Sequence, residues 1–402
     1  MAASPQMSNG EGVFRKELAD IKVIDSDTHL SEPYDLWTSR APKQWKERVP
    51  QVKEVKGKRT WIINGDTAMG AATPASVIRK DGSKIRGWGF MQCNIEDVHP
   101  GSSNIKERLR YMDESGIWAQ IIYPNFLGFG GQRAAQLAED IRLISFQIYN
   151  DAMAEIQQES GNRIFPMAMM PWWNIELSAA EAVRCHKMGL RGVNMNNHPQ
   201  SHPGVPDLGH HDWDRLWEVC SDLNLPINFH IGASEESANW FTSLPWPSQT
   251  PDQKLALGSA MLFVNNASVL SNIIFSGVLE RFPKLKFASV ESGVGWIPFV
   301  LEALDYQMEE EVPGASEILS MKPSEYFRRQ IYACFWFERK GLPAALESLG
   351  PDNLMFESDF PHPTCLYPAP LSYPAQVLTG IDHGVLRKLM SGNAARVYSI
   401  PV

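Results

Sequence analysis

Four stretches of this 402-residue chain carry side chains of the kinds that bind metal ions. They are Asp25-Ser26-Asp27-Thr28-His29, Asn228-Phe229-His230, Val290-Glu291-Ser292-Gly293, and Phe356-Glu357-Ser358-Asp359 with Pro361-His362 close behind. Each closes or follows a short β-branched or aromatic run. Asp27 and His29 stand two apart, so on an extended segment both point to the same side. Taken alone, such a pair reads more readily as a cap beside a satisfied loop histidine. Carboxylates and imidazoles delivered by separate strands into one cavity instead make a mixed nitrogen and oxygen site, suited to Zn, Mn or Fe as divalent ions. Asp27, His29, His230 and Asp359 are therefore expected to hold a divalent ion, because a metal explains Asp359 near Asp27 more simply than two unpaired buried carboxylates do.

Glu291 stands at the same rim, as a ligand, as a base that moves a proton, or as a salt-bridge partner for a nearby cation. Asp359 shares the proton-moving role. His362 lies between Pro361 and Pro363, in a stiff turn that either aims the imidazole at the metal or ends the strand. Arg191 and Asn194, with Asn196, sit near another strand end and are expected to hydrogen-bond a carboxylate or amide substrate, although Arg191 fits a barrel carboxylate as well. Trp336 is expected to give the substrate an apolar face, while Trp172, Trp173, Trp240 and Trp246 read mainly as packing residues. His198, His202, His210 and His211 fall in a Pro-rich loop and read as solvated.

These residues can meet only if the chain gathers distant strand ends. Runs at 22–26, 118–123, 164–170, 192–195, 226–229, 286–290, 331–335 and 354–357 read as eight strands. Helical patterns lie between them, among them 105–115, 133–159 and 256–282. Strict alternation of this kind closes naturally into a (β/α)8 barrel, which leaves no sheet edge exposed and places function at the C-terminal ends of the strands. The rival is an open doubly wound sheet. Its dinucleotide fingerprint is missing, because Gly128-Phe129-Gly130-Gly131 is followed by Arg133 where the third glycine belongs. Residues 1–20 read as a flexible leader and 21–402 as the barrel. Residues 32–101 form a β-containing flap, in which 58–63 is a strand that runs into the Asn64-Gly65 turn.

With 44% hydrophobic and 21% charged residues, the chain can bury a large core. A net charge of −9 without any block of Lys or Arg argues against nucleic acid as a partner. The first residues lack the apolar run of a secretory signal, and no later stretch reads as apolar for the length a bilayer requires. Five cysteines are scattered singly, which excludes a disulfide framework and a zinc finger and fits a reducing compartment. The expectation is a cytoplasmic, oligomeric protein that acts on a small molecule and binds neither membrane nor nucleic acid.

The motifs resemble those of the amidohydrolase superfamily, in the amidohydrolase-related branch that includes aminocarboxymuconate-semialdehyde decarboxylase. The resemblance rests on Ile24-Asp25-Ser26-Asp27-Thr28-His29-Leu30-Ser31-Glu32-Pro33, Asn228-Phe229-His230, Glu291-Ser292-Gly293-Val294-Gly295-Trp296-Ile297-Pro298 and Glu357-Ser358-Asp359-Phe360-Pro361-His362. Gly392-Asn393-Ala394-Ala395-Arg396 matches the usual closing helix. It implies a TIM barrel, with Asp27, His29, His230 and Asp359 as metal ligands. Two positions depart from the family pattern: Asp27 replaces the first histidine of a His-x-His pair, and Glu291 stands where the branch carries a catalytic histidine. The resemblance implies a metal-dependent hydrolase or decarboxylase acting on a small carboxylic acid or amide. The branch is also similar to dinuclear oxygenases that hydroxylate C–H bonds. In that setting Glu291 and His362 would complete a second ion site, with iron or manganese favoured. The non-enzymatic alternative is a metal-bearing subunit that supports a catalytic partner.

Overall fold

The computed structural model describes residues 9–242 and 246–402. Short runs buried on both faces form the strands: β1 (Ile24–His29), β5 (Ala119–Tyr123), β6 (Ile164–Pro166), β7 (Ala168–Met169), β8 (Val193–Asn194), β9 (Ile227–His230), β10 (Phe287–Val290), β11 (Ile331–Phe335) and β12 (Leu354–Phe356). β2 (Gln51–Val55), β3 (Lys58–Ile63) and β4 (Thr67–Ala71) belong to the flap. Parallel pairing runs β1–β5–β6 and β7–β8–β9–β10–β11–β12. β6 and β7 are one stave broken at Met167, whose N–H donates to the Ile122 carbonyl at 3.0 Å. Thr28 bridges Phe360 in the parallel sense and closes the ring. The seam itself is two backbone bonds, from His29 N–H to the Phe360 carbonyl (2.8 Å) and from Asp359 N–H to the Asp27 carbonyl (2.9 Å). The result is a closed TIM barrel.

Alternation along each strand divides the core in two. Ile121, Ala288, Val290, Cys334 and Met355 belong to an inner cluster capped by Val397, which ends the last helix (Asn393–Val397), and by Tyr398 just beyond it. Their neighbours Ile122, Phe287, Ala333, Phe335 and Phe356 pack outward against the helices with Trp213, Trp217 and Ile273. Near the barrel floor, the Tyr123 and Tyr398 hydroxyls both donate to Asn228 Oδ1, at 3.1 and 2.7 Å.

The flap is a three-stranded antiparallel sheet, β2–β3–β4. Lys56 and Gly57 (φ 51° and 75°) make its two-residue turn, with both residues in the left-handed region that such turns need. Asn64-Gly65 opens a three-residue connection instead. The Asn64 side chain then docks the flap on the barrel, donating to Gln136 O (3.0 Å) and accepting from Ala138 N–H (2.8 Å). Ahead of β1, the described part of the stretch expected as a flexible leader is instead a helix at Asn9–Glu17, which buries Phe14 in the main core.

Two helices differ from the sequence pattern. The one expected from residue 133 begins at Glu139, because Gly131 (φ 68°) starts a separate turn of 3₁₀ helix at Gln132–Gln136. The helix expected at 256–282 runs Pro251–Phe275, entered through a capping box in which Thr250 Oγ1 accepts from Gln253 N–H, and breaks at Gly277 (φ 73°). By length and composition this helix is apolar enough to cross a bilayer, against the reading from the sequence. Its apolar residues have other partners: Ile273 and Ile274 lie in the core, and Leu255, Leu262 and Phe263 face a cavity over the barrel mouth.

Gly130 marks the closest approach of the loops after β5 and β9. A Cβ there would lie 2.1 Å from the Ala233 carbonyl oxygen and 2.8 Å from Asn196 Cα, and backbone cannot swing aside. Gly130→Ala is expected to cost about 2 kcal/mol or more in denaturant melts, the scale of overpacking strain. Gly12→Ala, in open space on a helix, should be neutral or stabilising. Equal melting of the two variants would refute this account of Gly130.

Candidate metal centre

The C-terminal ends of the staves deliver a cluster of acids and imidazoles. β1 presents Asp25, Asp27 and His29, β9 ends on His230, Glu291 follows β10, and Glu357, Asp359 and His362 follow β12. All eight are buried. Two of them sit on unusual backbone: Glu291 (φ 53°) and Asp359 (φ 55°) are non-glycine residues in the left-handed region. Such conformations cost free energy and survive where the surroundings enforce them. Here they turn both carboxylates back over the barrel mouth.

His29 Nε2 and His230 Nε2 converge to 3.1 Å. Around them, Glu291 Oε2 lies 3.0 Å from His230 Nε2, and Asp359 Oδ1 lies 3.6 Å from His29 Nε2. Asp27 Oδ1 is 3.7 Å from both imidazoles. Two overlapping sets result. Asp27, His29, His230 and Glu291 form one, and His29, Glu291, Asp359 and His362 the other, with the donor atoms of each set within 4.8 Å of one another.

Outer contacts fix which atoms face inward. His230 Nδ1 donates to the Ile231 carbonyl (2.7 Å), which leaves the Nε2 lone pair for the cluster. His362 Nε2 meets Asn125 Oδ1 at 2.7 Å, so its Nδ1 faces Asp359 Oδ1 at 3.3 Å. The His362 ring also stacks on His29, with centroids 3.5 Å apart. The Thr364 hydroxyl donates to Asp359 Oδ2 (2.6 Å), and Glu291 N–H donates to Glu357 Oε2 (3.1 Å).

These donors fit a divalent cation. Both carboxylate oxygens of Asp27, Asp359 Oδ1 and Glu357 Oε1 are buried without a hydrogen-bond partner among the described residues, a costly arrangement unless a positive charge meets them. Burial holds Asp27, Glu291 and Glu357 well above the usual carboxylate range, and repulsion adds to it: mainly from Glu357 on Asp27, from Asp359 on Glu291, and from Glu291 on Glu357. Burial also drives His29 well below its ordinary value and His230 down to about 4, so both are neutral donors at neutral pH. Asp25 is pushed up to about 7 by burial, although Ser358, Gln120 and Arg108 oppose the shift. The buried Arg108 reaches Asp25 through Gln120, with Nη1 donating to Gln120 Oε1 (3.1 Å) and Gln120 Nε2 to Asp25 Oδ2 (3.0 Å). Its other nitrogens donate to the carbonyls of His29 and Gly101.

The structure thus brings together Asp27, His29, His230, Glu291, Asp359 and His362. It does not bring Arg191 to them. Arg191 precedes β8 instead of following it, so it lies toward the opposite rim, where it donates to the Ser399 carbonyl (2.6 Å); its expected contact with substrate is corrected. Asn194 ends β8, but its amide donates to the Phe129 carbonyl and supports the cavity wall from behind. Trp336 is likewise a second layer, edge-on to Phe263 at 5.2 Å. His198, His210 and His211 pair with surface carboxylates, and His202 packs on Trp172. The Trp240 side chain and residues 243–245 lie outside the described residues. Sequence reasoning missed Asn125, Thr364 and Glu357. Of these, Glu357 was within reach, since it stands two before Asp359 as Asp27 stands two before His29.

Above the cluster lies a cavity of about 300 Å³ with mainly apolar walls, among them Phe90, Phe129, Leu262 and Phe263; Glu291, His362 and Thr364 form part of its lining.

The sequence model of the amidohydrolase family matches residues 24–400. An amidohydrolase of Mycobacterium avium subsp. paratuberculosis K-10 is 22% identical, with a TM-score of 0.74 over 94% of this chain and 99% of that one. The 5-carboxyvanillate decarboxylase of Sphingomonas paucimobilis is 23% identical, with a TM-score of 0.58 over 75% of this chain and 85% of that one. A dihydroxybenzoic acid decarboxylase of Polaromonas sp. JS666, solved with manganese and the inhibitor 2-nitroresorcinol, is 18% identical, with a TM-score of 0.59 over 94% and 97%.

A carboxylate whose folded value is raised favours its protonated form, so the stripped protein gives up stability as pH climbs above the unfolded value. For Asp25 that window runs from near 3.8 to about 7. At Asp27 and Glu291, raised in the same way, metal must displace the protons. Metal affinity of the chelator-stripped protein, measured by calorimetry, is expected to rise ~10-fold or more between pH 6 and pH 8, with proton release on binding. Affinity that did not change with pH would contradict the site.

Proposed function

The chain belongs to the amidohydrolase family, and from that membership we propose that it is a metal-dependent hydrolase or decarboxylase acting on a small carboxylic acid or amide. The observation that carries this reading is the convergence of two buried neutral imidazoles and three carboxylates beneath an apolar cavity. Asp27, His29, His230 and Asp359 would hold the ion, which supplies Lewis acidity by polarising a substrate oxygen or acidifying water. Zinc, manganese and iron all suit the donor set, and manganese is the ion in the Polaromonas enzyme.

The remaining work falls to the protein's own groups. Glu291 lines the cavity and is raised by burial, so it is placed to hold or take a proton at the reacting atom. Thr364 joins it to Asp359, its hydroxyl lying 3.5 Å from Glu291 Oε1 and 2.6 Å from Asp359 Oδ2, which gives the proton a second carboxylate to share. Phe90, Phe129, Leu262 and Phe263 exclude water and strengthen each charge interaction beneath them. We take residues 21–402 as one catalytic unit with 32–101 as its flap. Free thiols at the cysteines accord with a cytoplasmic setting.

A second reading, a dinuclear iron or manganese oxygenase that hydroxylates a C–H bond, is favoured by the two overlapping donor sets, which share His29 and Glu291 and enlist His362. Charge supports it. With Asp27, Glu291, Glu357 and Asp359 all ionised, one divalent cation compensates two of them and two cations compensate all four.

Elemental analysis and an oxygen electrode separate the readings. The hydrolase or decarboxylase predicts turnover of aromatic or aliphatic acids and amides that stops on chelation, returns with metal and consumes no O₂. Two irons per chain with O₂ uptake, in the presence of a two-electron donor, would replace it with the oxygenase. Asp359→Asn and Glu291→Gln are expected to lower kcat by ~10²-fold or more in either case. A folded, metal-free protein with full activity would defeat both.

A further inference from the structure

The cavity over the cluster has one feature that metal chemistry does not use. Arg133 lies in its wall, on the 3₁₀ turn Gln132–Gln136, and is the only Lys or Arg among the described residues lining it. Most of the guanidinium surface is removed from water, and burial lowers its basicity. Its partners are few. It lies over the Phe126 ring, with its carbon 5.8 Å from the centroid, and it feels the field of Glu32. Glu32 does not reach it as an ion pair, because Glu32 Oε1 accepts from the Asn125 and Phe126 N–H groups at 2.8 and 3.1 Å. A cavity-lining guanidinium with five donors and no hydrogen-bonded acceptor among the described residues is available to a ligand that brings one.

A second observation points the same way. An adjoining cavity shares Leu255, Ser259, Phe263, Pro363 and Thr364 with the inner one, so the two lie side by side along the Pro251–Phe275 helix. Its outer wall carries the exposed cations Lys84 and Arg86, with Asp252 the one acid there. On a chain of net charge −9, a vestibule with two cations and one acid is a local reversal of sign, which favours the approach of an anion.

We propose that Arg133 anchors a substrate carboxylate, so that the enzyme takes an amphiphilic organic acid whose apolar body lies against Phe90, Phe129, Leu262 and Phe263 while its reacting group meets the Asp27–His362 cluster. This rests on the metal-dependent reading of that cluster. It adds that the anchoring carboxylate is held by the protein and not by the metal. A planar guanidinium offers two parallel donors to a carboxylate, and a lysine in its place would offer only a point charge.

The test uses the metal-loaded enzyme and two isosteric probes, 2-naphthoate and its neutral counterpart 2-naphthamide, titrated by calorimetry. The wild-type protein is expected to favour the carboxylate by ~10-fold or more, as a desolvated charge-assisted pair warrants. Arg133→Met should erase that preference while leaving naphthamide affinity and metal content unchanged, and Arg133→Lys should retain part of it. Should Arg133→Met fail to fold, Arg133→Gln serves, and the wild-type comparison decides on its own: equal affinity for the two probes overturns the proposal. So does a preference that survives in Arg133→Met, since the metal would then be the anchor. Loss of metal-dependent turnover would sink the reading of the cluster and leave the probe preference intact, so the two failures are distinguishable.

Discussion

The structure turns on how much negative charge it gathers at the seam of its barrel. Asp25, Asp27, Glu357 and Asp359 lie buried where β1 meets β12, Glu291 reaches the same cluster from the end of β10, and the buried guanidinium nearby, Arg108, serves Asp25 through Gln120. Removing an ionised carboxylate from water costs several kcal/mol even after relaxation. A fold that did this repeatedly without compensation would have little of the usual ~5–15 kcal/mol of net stability left. The same residues close the ring, because the Asp359 and His29 N–H groups make the two seam bonds. Whatever charge balances the cluster therefore also stabilises the barrel at its joint. A cation bound at this cluster would be coupled to folding in the ordinary thermodynamic sense.

Local backbone serves the same end. Glu291 and Asp359 occupy left-handed conformations that a glycine would take at no cost. The tertiary structure enforces them from outside: Glu357 accepts the Glu291 N–H, and the Asp27 carbonyl accepts that of Asp359. Arg108 acts at a third point, gripping the His29 carbonyl while its guanidinium lies over Phe360 at 4.6 Å. Strain, seam and ligand orientation are thus one arrangement, and a change to any of the three residues would be felt at the others.

This explains which parts of the molecule were legible in the sequence. The barrel was, because alternation between buried runs and helical patterns has few closed solutions, and so was the gathering of carboxylates and imidazoles, because such residues at strand ends carry a signal of type and spacing. Arg191 was not placed correctly, since distance along the chain from a strand does not say which end of it a side chain serves. Asn125, Thr364 and Arg133 were invisible for a different reason. They lie on loops whose course is set by contacts such as the close approach of Gly130 to Ala233, and no local pattern encodes those. Asn194 and Trp336 fell between the cases: each stands near the cavity and acts through a residue in front of it, Phe129 and Phe263.

The contrast between floor and walls narrows the chemistry further. A crowded ionic floor beneath aromatic and aliphatic walls cannot be reached by bulk water without weakening the very interactions that hold it, so the cavity gains from a ligand that is itself mostly apolar. Such a ligand carries little to orient it, and a site with a symmetric apolar wall would accept it in several poses. The polar groups in the wall, Asn125, Gln132, Arg133, Ser259 and Thr364, break that symmetry, and the Ser259 hydroxyl is taken up by the Leu255 carbonyl. Asn125 and Thr364 are already committed to His362 and Asp359, and the Gln132 side chain to Gly130 N–H and the Gly232 carbonyl. Arg133 alone among them keeps its side-chain donors for something that enters, and orientation of the substrate over the cluster falls to it.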